Sequence, residues 1–238
     1  MKRGLALMRF AAAAACALLG VSSLARAAEP GWIEGSVRLG SDLVDRHSRF
    51  TLYPDPTRPA KPRATPGLAD ELENVVVYLE EVPAGTVPPG SRPPTLVMRQ
   101  EGMEFVPHVL PVVRGETVEF LNADPLFHNV FSLSKPSTFD LGRYPSGRSK
   151  SVRFTEPGVV KVFCHIHSDM SAVVLVLDNA FYVSPSRDGR YVLPRVPPGT
   201  YRVTAWHARA RAIHRTIRVE PGRATVSDFE IPLSEGEN

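Results

Sequence analysis

Short apolar runs separated by turn residues are the feature that most constrains the fold of this chain. Helical periodicity is scarce, because 23 prolines and 17 glycines are spread over the 238 residues. Several runs alternate between apolar and polar residues, as half-buried strands do. The sequence therefore predicts an all-β protein built from sandwiches or barrels. The predicted strands are Trp32–Leu39, Val75–Leu79, Val109–Val113, Thr117–Leu121, Ser151–Phe154, Val159–Phe163, Ala172–Leu177, Tyr201–Trp206, Ile213–Val219 and Thr225–Ile231.

The first 27 residues have the pattern of a secretory signal peptide. Basic residues come first, an apolar run follows from Phe10 to Leu19, and Ala25-Arg26-Ala27 places small residues where a signal peptidase cleaves. The apolar run is too short for a membrane span, which needs ~20 residues. We expect cleavage after Ala27, export to the periplasm and no membrane span in the mature chain.

Loss of this segment changes both the charge and the cysteine count. Four of the 28 basic residues lie in it and none of the 25 acidic ones, so the rest of the chain has a net charge of −1 and gives no reason to expect nucleic-acid binding. Of the two cysteines, Cys16 is removed and Cys164 remains without a disulfide partner. A metal would hold this thiol as a thiolate. A buried, inert cysteine is the alternative.

The stretch from Cys164 to Met170 favours the metal. His167 lies three residues after the cysteine and Met170 three further on, while His128 lies upstream. Two imidazole nitrogens, one thiolate and one weak thioether favour copper that is held for electron transfer. Zinc is the competing metal, but a thioether is a poor ligand for it. A single cysteine also excludes a dinuclear copper-A centre, and the Cys-x-x-Cys-His attachment motif of a c-type haem is absent.

Two motifs resemble those of the cupredoxins, the small blue copper proteins such as amicyanin and plastocyanin. One is the Gly-x-x-Val-x-Phe-x-Asn pattern that begins at Gly115 and leads to His128-Asn129, and the other is the short Cys-x-x-His-x-x-Met loop. The resemblance to the cupredoxins covers about residues 95–178 of the chain.

This resemblance implies a Greek-key β-sandwich and one type 1 copper. In cupredoxins, the Asn after the first histidine ties the two ligand loops together, which here implies that role for Asn129. The copper ligands implied for this chain are His128, Cys164, His167 and Met170.

The remaining histidines are interpreted as non-ligands. His165 adjoins Cys164, so in an extended chain its side chain points away from the metal. The alternative is a bridge from His165 to a second copper in a multicopper enzyme, which needs further paired histidines that the sequence lacks. We expect His47, His207 and His214 to be solvated.

A second resemblance covers the two ends of the chain. Gly189–Leu193 followed by Val196–Val203, with its Val-Pro-Pro-Gly-Thr-Tyr motif, resembles the carboxypeptidase-regulatory-like, transthyretin-like β-sandwich. Ile33–Val37 and Asn74–Leu79 resemble the first strands of the same module. The resemblance implies a binding or structural module without catalytic residues.

The domain organisation follows from these two resemblances. Residues 29–83 and 180–234 are predicted to form one discontinuous transthyretin-like sandwich, and residues 95–178 a cupredoxin domain inserted into it. Two Pro-rich stretches, Tyr53–Pro66 and Val82–Pro94, are predicted loops or stiff linkers, because proline removes the hydrogen-bond donors of a strand.

The leading hypothesis is a periplasmic blue copper protein that carries single electrons between redox partners and is not an enzyme. The alternatives are a copper-binding carrier without redox turnover, or a copper enzyme with a second metal near His165. A cationic run could attract an acidic partner or simply face water. That run consists of Arg202, Arg209, Arg211, Arg215 and Arg218.

Overall fold

The computed structural model describes residues 29–40, 68–83, 86 and 95–232. The predicted signal peptide, the Tyr53–Pro66 stretch and most of Val82–Pro94 lie outside the described residues. Where the chain is described it is all-β, with four sheets and a single short helix, α1 (Leu68–Leu72). Within these residues no helix has the length and apolar character needed to cross a membrane.

The strands are short, and most follow the apolar runs of the sequence. In chain order they are β1 (Gly31–Leu39), β2 (Val76–Leu79), β3 (Leu96–Glu101), β4 (Glu104–Val106), β5 (Val109–Val113), β6 (Thr117–Asn122), β7 (His128–Ser134), β8 (Ser137–Tyr144), β9 (Ser149–Arg153), β10 (Gly158–Phe163), β11 (Ser171–Leu177), β12 (Tyr182–Val183), β13 (Arg190–Val196), β14 (Gly199–Trp206), β15 (Ile213–Val219), β16 (Ala224–Val226) and β17 (Phe229–Ile231).

One sandwich is built from strands at both ends of the chain. Its first sheet has the order β13-β1-β16, with β17 also paired to β1, and its second has the order β12-β2-β14-β15. The two sheets share one apolar core to which β1, β2, β13, β14 and β17 all contribute. Neither end could bury its apolar faces without the other, since β1 and β2 take their strand partners from beyond residue 180.

The pairing of β2 with β14 connects the two ends most directly. Val76 to Leu79 pair antiparallel with Trp206 to Val203, and Leu79 and Val203 are both fully buried in the shared core. The sequence had predicted that these two strands share a sandwich, without predicting that they are neighbours in one sheet. The division of the chain into an inserted domain and a discontinuous one remains a proposal, as does the transthyretin-like identity of this sandwich.

The predicted strand Thr225–Ile231 is interrupted, which corrects the sequence-based prediction. Its two halves, β16 and β17, both pair in parallel with β1, and Ser227 and Asp228 lie between the two pairings. The N–H group of Ser227 donates to the carbonyl of Glu34, and Asp228 accepts from the N–H and hydroxyl of Ser36. A Cβ at Gly35 would lie 2.2 Å from the carbonyl oxygen of Ser227, so only glycine allows this approach.

The second sandwich lies entirely within residues 96–177. Its larger sheet has the order β5-β11-β10-β7-β8, and its smaller sheet has the order β4-β3-β6-β9. Phe120, Val130, Phe154 and Val174 are among the fully buried side chains between the two sheets. The predicted metal ligands lie at one end of this sandwich, on the first residue of β7 and on the single loop that joins β10 to β11.

The two sandwiches are packed against each other by a third apolar cluster. Val109 of β5 and Val173 and Leu175 of β11 lie on the outer face of the five-stranded sheet, where they meet Val76 and Trp206 of the other sandwich. At the same interface the hydroxyl of Tyr182 donates to the carbonyl of Pro111 at 3.1 Å. The first sandwich therefore covers the five-stranded sheet on the side of β5 and β11.

A buried polar cluster fixes α1 to the loop after β14, and it corrects the prediction that His207 is solvated. His207 is buried, and its Nδ1 accepts from the N–H of Arg209, which leaves its Nε2–H to donate to Glu71 at 3.2 Å. The guanidinium of Arg209 donates to the other carboxylate oxygen of Glu71 at 3.1 Å. Chiefly because of the hydrogen bond from His207, and with the charge of Arg209, the pKa of Glu71 is lowered from 4.5 to about 2.

We expect Glu71→Gln to destabilise the protein at neutral pH and to have little effect near pH 2. The pKa of Glu71 is depressed in the folded state, so its contribution is complete above pH 4.5 and is lost as the pH falls toward 2. From the ~1.4 kcal/mol that each pKa unit represents, the contribution is about 3 kcal/mol. Urea unfolding of both proteins between pH 2 and 7 measures it.

Glu73→Gln is the matched control, because the side chain of Glu73 is 51% exposed. It should change the free energy of unfolding by less than about 1 kcal/mol at any pH. A pH-independent difference between wild type and Glu71→Gln would show that the carboxylate charge does not stabilise the fold.

Candidate metal centre

Three side chains that could hold a metal ion converge at one end of the second sandwich. They are His128, the first residue of β7; Cys164, which directly follows β10; and His167, in the loop before β11. Nδ1 of His128 and Nδ1 of His167 are 3.0 Å apart. Sγ of Cys164 lies 3.9 Å from the first nitrogen and 3.8 Å from the second.

These three donor atoms fit a single first-row metal ion. A triangle with these sides has a central point about 2.1 Å from each corner, and bonds from a metal such as zinc to His nitrogen and Cys sulfur are about 2.0–2.3 Å long. The three donors are a His₂Cys set at the corners of a triangle. A trigonal His₂Cys group is typical of copper sites for electron transfer, whereas zinc prefers a tetrahedron.

The loop that carries Cys164 and His167 is closed by backbone hydrogen bonds to Met170. The N–H of Met170 donates to the carbonyl of His167 at 3.1 Å, and the N–H of Cys164 donates to the carbonyl of Met170 at 3.2 Å. Met170 and Cys164 are both buried in the core of this sandwich. The backbone of the fourth predicted ligand is therefore hydrogen-bonded to Cys164 and His167, and its role as an axial ligand is taken up below as a proposal.

Asn129 connects the two ligand-bearing segments. Its Oδ1 accepts from the backbone N–H of His165 at 2.7 Å, and its Nδ2 donates to Asp140 of β8 at 2.8 Å. One side chain thus links the start of β7 to the loop after β10, which is the contact that the cupredoxin resemblance implies for this position.

His165 is not part of the donor group. Its ring stacks on Phe131 with a centroid distance of 3.7 Å and an interplanar angle of 6°. The side chain is 58% exposed, and its Nε2 lies 3.9 Å from the carboxylate of Asp140. Among the described residues, the only group of three or more metal-binding His, Cys, Asp or Glu side chains is the one at Cys164, so there is no second cluster at His165.

The loop before β7 is shaped by Asn122, which is fully buried. Its Nδ2 donates to the carbonyls of Leu126 and Tyr144, at 2.7 and 3.1 Å, and its Oδ1 accepts from the N–H of Asp124 at 3.0 Å. These bonds fold residues 123–127 into a compact turn that delivers His128 to the metal-binding group. The Asn of the Gly-x-x-Val-x-Phe-x-Asn pattern is thus a structural part of the site.

Two further residues at the site escaped the sequence-based analysis. Nε2 of His128 lies 2.9 Å from Oδ2 of Asp124. Burial raises the pKa of Asp124, but hydrogen bonds from Met103, His128 and Gly102 outweigh burial and hold the pKa below its usual range. Asp124 and His128 are four residues apart in the sequence. In a loop this spacing does not predict that two side chains are in contact, so the pair could not be identified beforehand.

The second is Tyr144, which pairs with His128 in the β7–β8 ladder. Its hydroxyl donates to the carbonyl of Phe120 at 3.2 Å and accepts from the amide of Gln100. Burial is the main reason that the pKa of Tyr144 is raised to about 12, and the negative charge of a Cys164 thiolate adds to the shift. Tyr144 therefore stays neutral beside the thiol.

Comparison with known proteins agrees with this site. Residues 95–177 match the model of the family described as copper binding proteins, plastocyanin/azurin family. No curated protein matches the chain.

Several solved structures are similar over part of the chain. A copper-containing nitrite reductase from Thermus scotoductus SA-01 is 25% identical, with a TM-score of 0.35, over 42% of this chain and 25% of that one. A variant of amicyanin in its Cu(I) form is 24% identical, with a TM-score of 0.34, over 36% of this chain and 85% of that one. A reduced amicyanin variant is 23% identical, with a TM-score of 0.32, over 42% of this chain and 90% of that one.

The family match covers the second sandwich and includes all three converging donors. Residues 95–177 are thus similar to the copper-binding plastocyanin/azurin family, and their β-sandwich and donor group agree with that similarity.

Proposed function

We propose that the protein is a type 1 copper protein that carries single electrons between redox partners. The observation that supports this most is the trigonal group of His128, Cys164 and His167, with their donor atoms 3.0–3.9 Å apart. Met170 is proposed as the weak axial ligand, because it is buried beside Cys164 and its backbone is bonded to the same loop. One copper ion per chain is expected.

The chain supplies what a carrier of single electrons needs around such a donor set. When bound, copper supplies a centre that gains and loses one electron. Neighbouring residues hold the donor side chains in place through hydrogen bonds. Asp124 contacts the His128 ring, and Asn129 bonds to the loop that carries Cys164. The backbone of Met170 closes that loop. Donors that are fixed in this way keep the same positions in both oxidation states, so little reorganisation accompanies each transfer.

A redox partner is proposed to dock where His167 approaches the surface. His128 is fully buried, whereas His167 is half-buried. Exposed apolar side chains precede both histidines in the chain and form what we call the apolar rim: Leu126, Phe127 (59% exposed) and Ile166. Exposed apolar clusters commonly mark interaction sites.

The arginine run offers weaker support for an acidic partner. Arg202 is already paired with Glu80 at 3.1 Å, and Arg209 with Glu71. Arg215 lies over the ring of Phe229 at 5.7 Å, on the opposite side of β15 from Arg218. The five arginines therefore do not form one cationic face, and we propose the apolar rim as the docking surface instead.

The copper-loaded protein tests the proposal against its two alternatives. An electron carrier should bind one copper, absorb intensely in the visible range through thiolate-to-copper charge transfer, and undergo a reversible one-electron reduction. Stoichiometric copper without this colour would replace the proposal with copper handling without redox turnover.

A variant at His165 separates a carrier from a copper enzyme. We expect His165→Ala to retain one copper per chain and a nearly unchanged spectrum, because its ring stacks on Phe131 and lies outside the donor group. Metal analysis and electron paramagnetic resonance measure both properties. Two coppers in wild type, one of them lost in the variant, would support an enzyme with a second metal.

Export to the periplasm is proposed from the N-terminal pattern of residues 1–27 and from the lone mature thiol. Cell fractionation and the mass of the secreted chain test it, with cleavage after Ala27 as the expected result. A full-length chain in the cytoplasm would overturn it.

A further inference from the structure

The connection between β8 and β9 carries a local excess of positive charge. From Leu141 to Thr155 the sequence has four basic residues and no acidic one, whereas the chain outside residues 1–27 has a net charge of −1. All four basic residues are exposed. They are Arg143, Arg148, Lys150 and Arg153.

Three of the four lie at the end of the second sandwich that carries the metal-binding group. β8 ends at Tyr144, which pairs with His128 at the start of β7. Arg153 is instead the last residue of β9, at the opposite end, where it donates to the carbonyl of Gly115 at 2.9 Å. The three residues near the metal-binding group are called the cationic corner: Arg143, Arg148 and Lys150.

Asn122 joins the cationic corner to the loop that bears part of the apolar rim. The backbone N–H of Asn122 donates to the carbonyl of Arg148 at 3.0 Å, and the N–H of Gly147 donates to the carbonyl of Asn122 at 2.8 Å. The side-chain amide of Asn122 donates to the carbonyl of Leu126 at 2.7 Å. Both segments are thus fixed to one buried residue, and the cationic corner adjoins the apolar rim.

The charges of the cationic corner are not neutralised within the described part of the chain. The side chains of Arg143 and Arg148 make no hydrogen bond or ion pair with any described residue. Lys150 donates to the carbonyl of Leu141 and lies 5.5 Å from the centre of the Tyr144 ring, and neither contact removes its charge. These charges are therefore available to a partner.

The nearby acidic side chains are already used inside the sandwich. Asp140 of β8 accepts from the amide of Asn129 and from the N–H of Gly142, both at 2.8 Å. Glu101, the last residue of β3 at the same end, is paired with Arg99 at 3.3 Å. Charge runs usually just face water. This one differs, because it is unpaired and adjoins an exposed apolar surface beside a metal ligand.

We propose that the cationic corner binds carboxylates of an acidic redox protein, whose apolar surface then covers the apolar rim. This inference rests on the proposed function, since it names the class of partner for an electron carrier. Attraction between opposite charges across such a surface raises the rate of association more than the affinity. The contact at the rim would place the partner beside His167.

Peptide binding to the metal-free protein tests the docking site without copper. We expect a hexaglutamate peptide to shift the nitrogen-15 NMR signals of amides in residues 143–150, and a hexalysine peptide to leave them unchanged. About 1 M salt should reverse the shifts, because the Debye length is then only ~3 Å. Shifts confined to the first sandwich, or none at residues 143–150, would overturn the proposal. So would binding of these residues to phosphatidylglycerol vesicles without any response to hexaglutamate, which would indicate a membrane surface instead.

The double substitution Arg143→Glu and Arg148→Glu tests the effect on electron transfer. In this reaction one electron passes from the reduced, copper-loaded protein to hexacyanoferrate(III), a trianion with the sign of charge proposed for the partner. At an ionic strength of about 0.1 M we expect the second-order rate constant to fall roughly tenfold. The difference should disappear near 1 M salt. Stopped-flow absorption measures both rates.

Arg190→Glu together with Arg223→Glu is the matched control. It makes the same change of net charge on the first sandwich, at side chains that are 82% and 77% exposed, and should slow the reaction much less. An equal fall in both double variants would mean that only net charge matters and that the proposal is wrong. A colourless protein would overturn the electron carrier while the peptide-induced shifts still stand.

Discussion

Cys164→Ala should abolish the visible colour of the copper-loaded protein and convert the site to one that holds copper weakly. The colour of a blue copper site comes from charge transfer between thiolate and copper, and Cys164 is the only cysteine outside residues 1–27. We expect the intense absorption to be lost completely, with reversible electron exchange lost alongside it. Absorption spectroscopy and voltammetry of the two proteins measure the change.

Met170→Leu is the matched comparison, because it removes the other sulfur of the site while conserving side-chain volume. It should keep the thiolate colour, since only a weak axial ligand is proposed at this position, and change the reduction potential. Should Cys164→Ala remain blue, the thiolate is not the ligand and the electron-carrier proposal is wrong.

Val203→Asp should unfold the sandwich formed by the ends of the chain. Val203 is fully buried on β14, between its pairing with β2 and its contact with the β1 sheet. An unpaired charge in such a core is among the few changes expected to cost more than about 4–5 kcal/mol. If residues 29–83 with 180–234 and residues 95–178 form separate domains, the amide signals of β1 and β2 should be lost while the copper colour persists.

Val192→Asp is the control for this substitution, because Val192 lies on β13 of the same sandwich but is 50% exposed. It should change the stability by less than about 1 kcal/mol. Loss of the copper colour together with the first sandwich in Val203→Asp would mean that the whole chain unfolds as one unit, which contradicts the domain proposal.

The sequence predicted strands where apolar residues run together and missed them where polar residues dominate. β10 and β11 are short apolar runs of the first kind, and β11 is buried along almost its whole length. β8 was not predicted, because Ser137–Tyr144 is mostly polar or exposed and contains Gly142. It is a strand because it pairs along its length with β7, which is a property of the partner and not of its own residues.

The metal donors could be predicted because their chemistry is rare, whereas the residues that hold them could not. Few kinds of site combine one thiol, two imidazoles and one thioether, so this combination of side chains points to a metal centre. Asp124 has no such signature, because two of its three partners are backbone N–H groups 21 and 22 residues away. Likewise the burial of His207 depends on Glu71, which is 136 residues distant in the chain.

The apolar contact between the two sandwiches has a consequence for the proposed electron carrier, because it limits the directions from which a redox partner could approach. The β5–β11 side of the five-stranded sheet is covered by the first sandwich, so a partner on that side would be kept one whole sandwich away. Because electron transfer between proteins weakens steeply with distance, exchange from that side would be slow. The first sandwich would thus direct partners to the open end, although it contributes no donor atom to the metal-binding group.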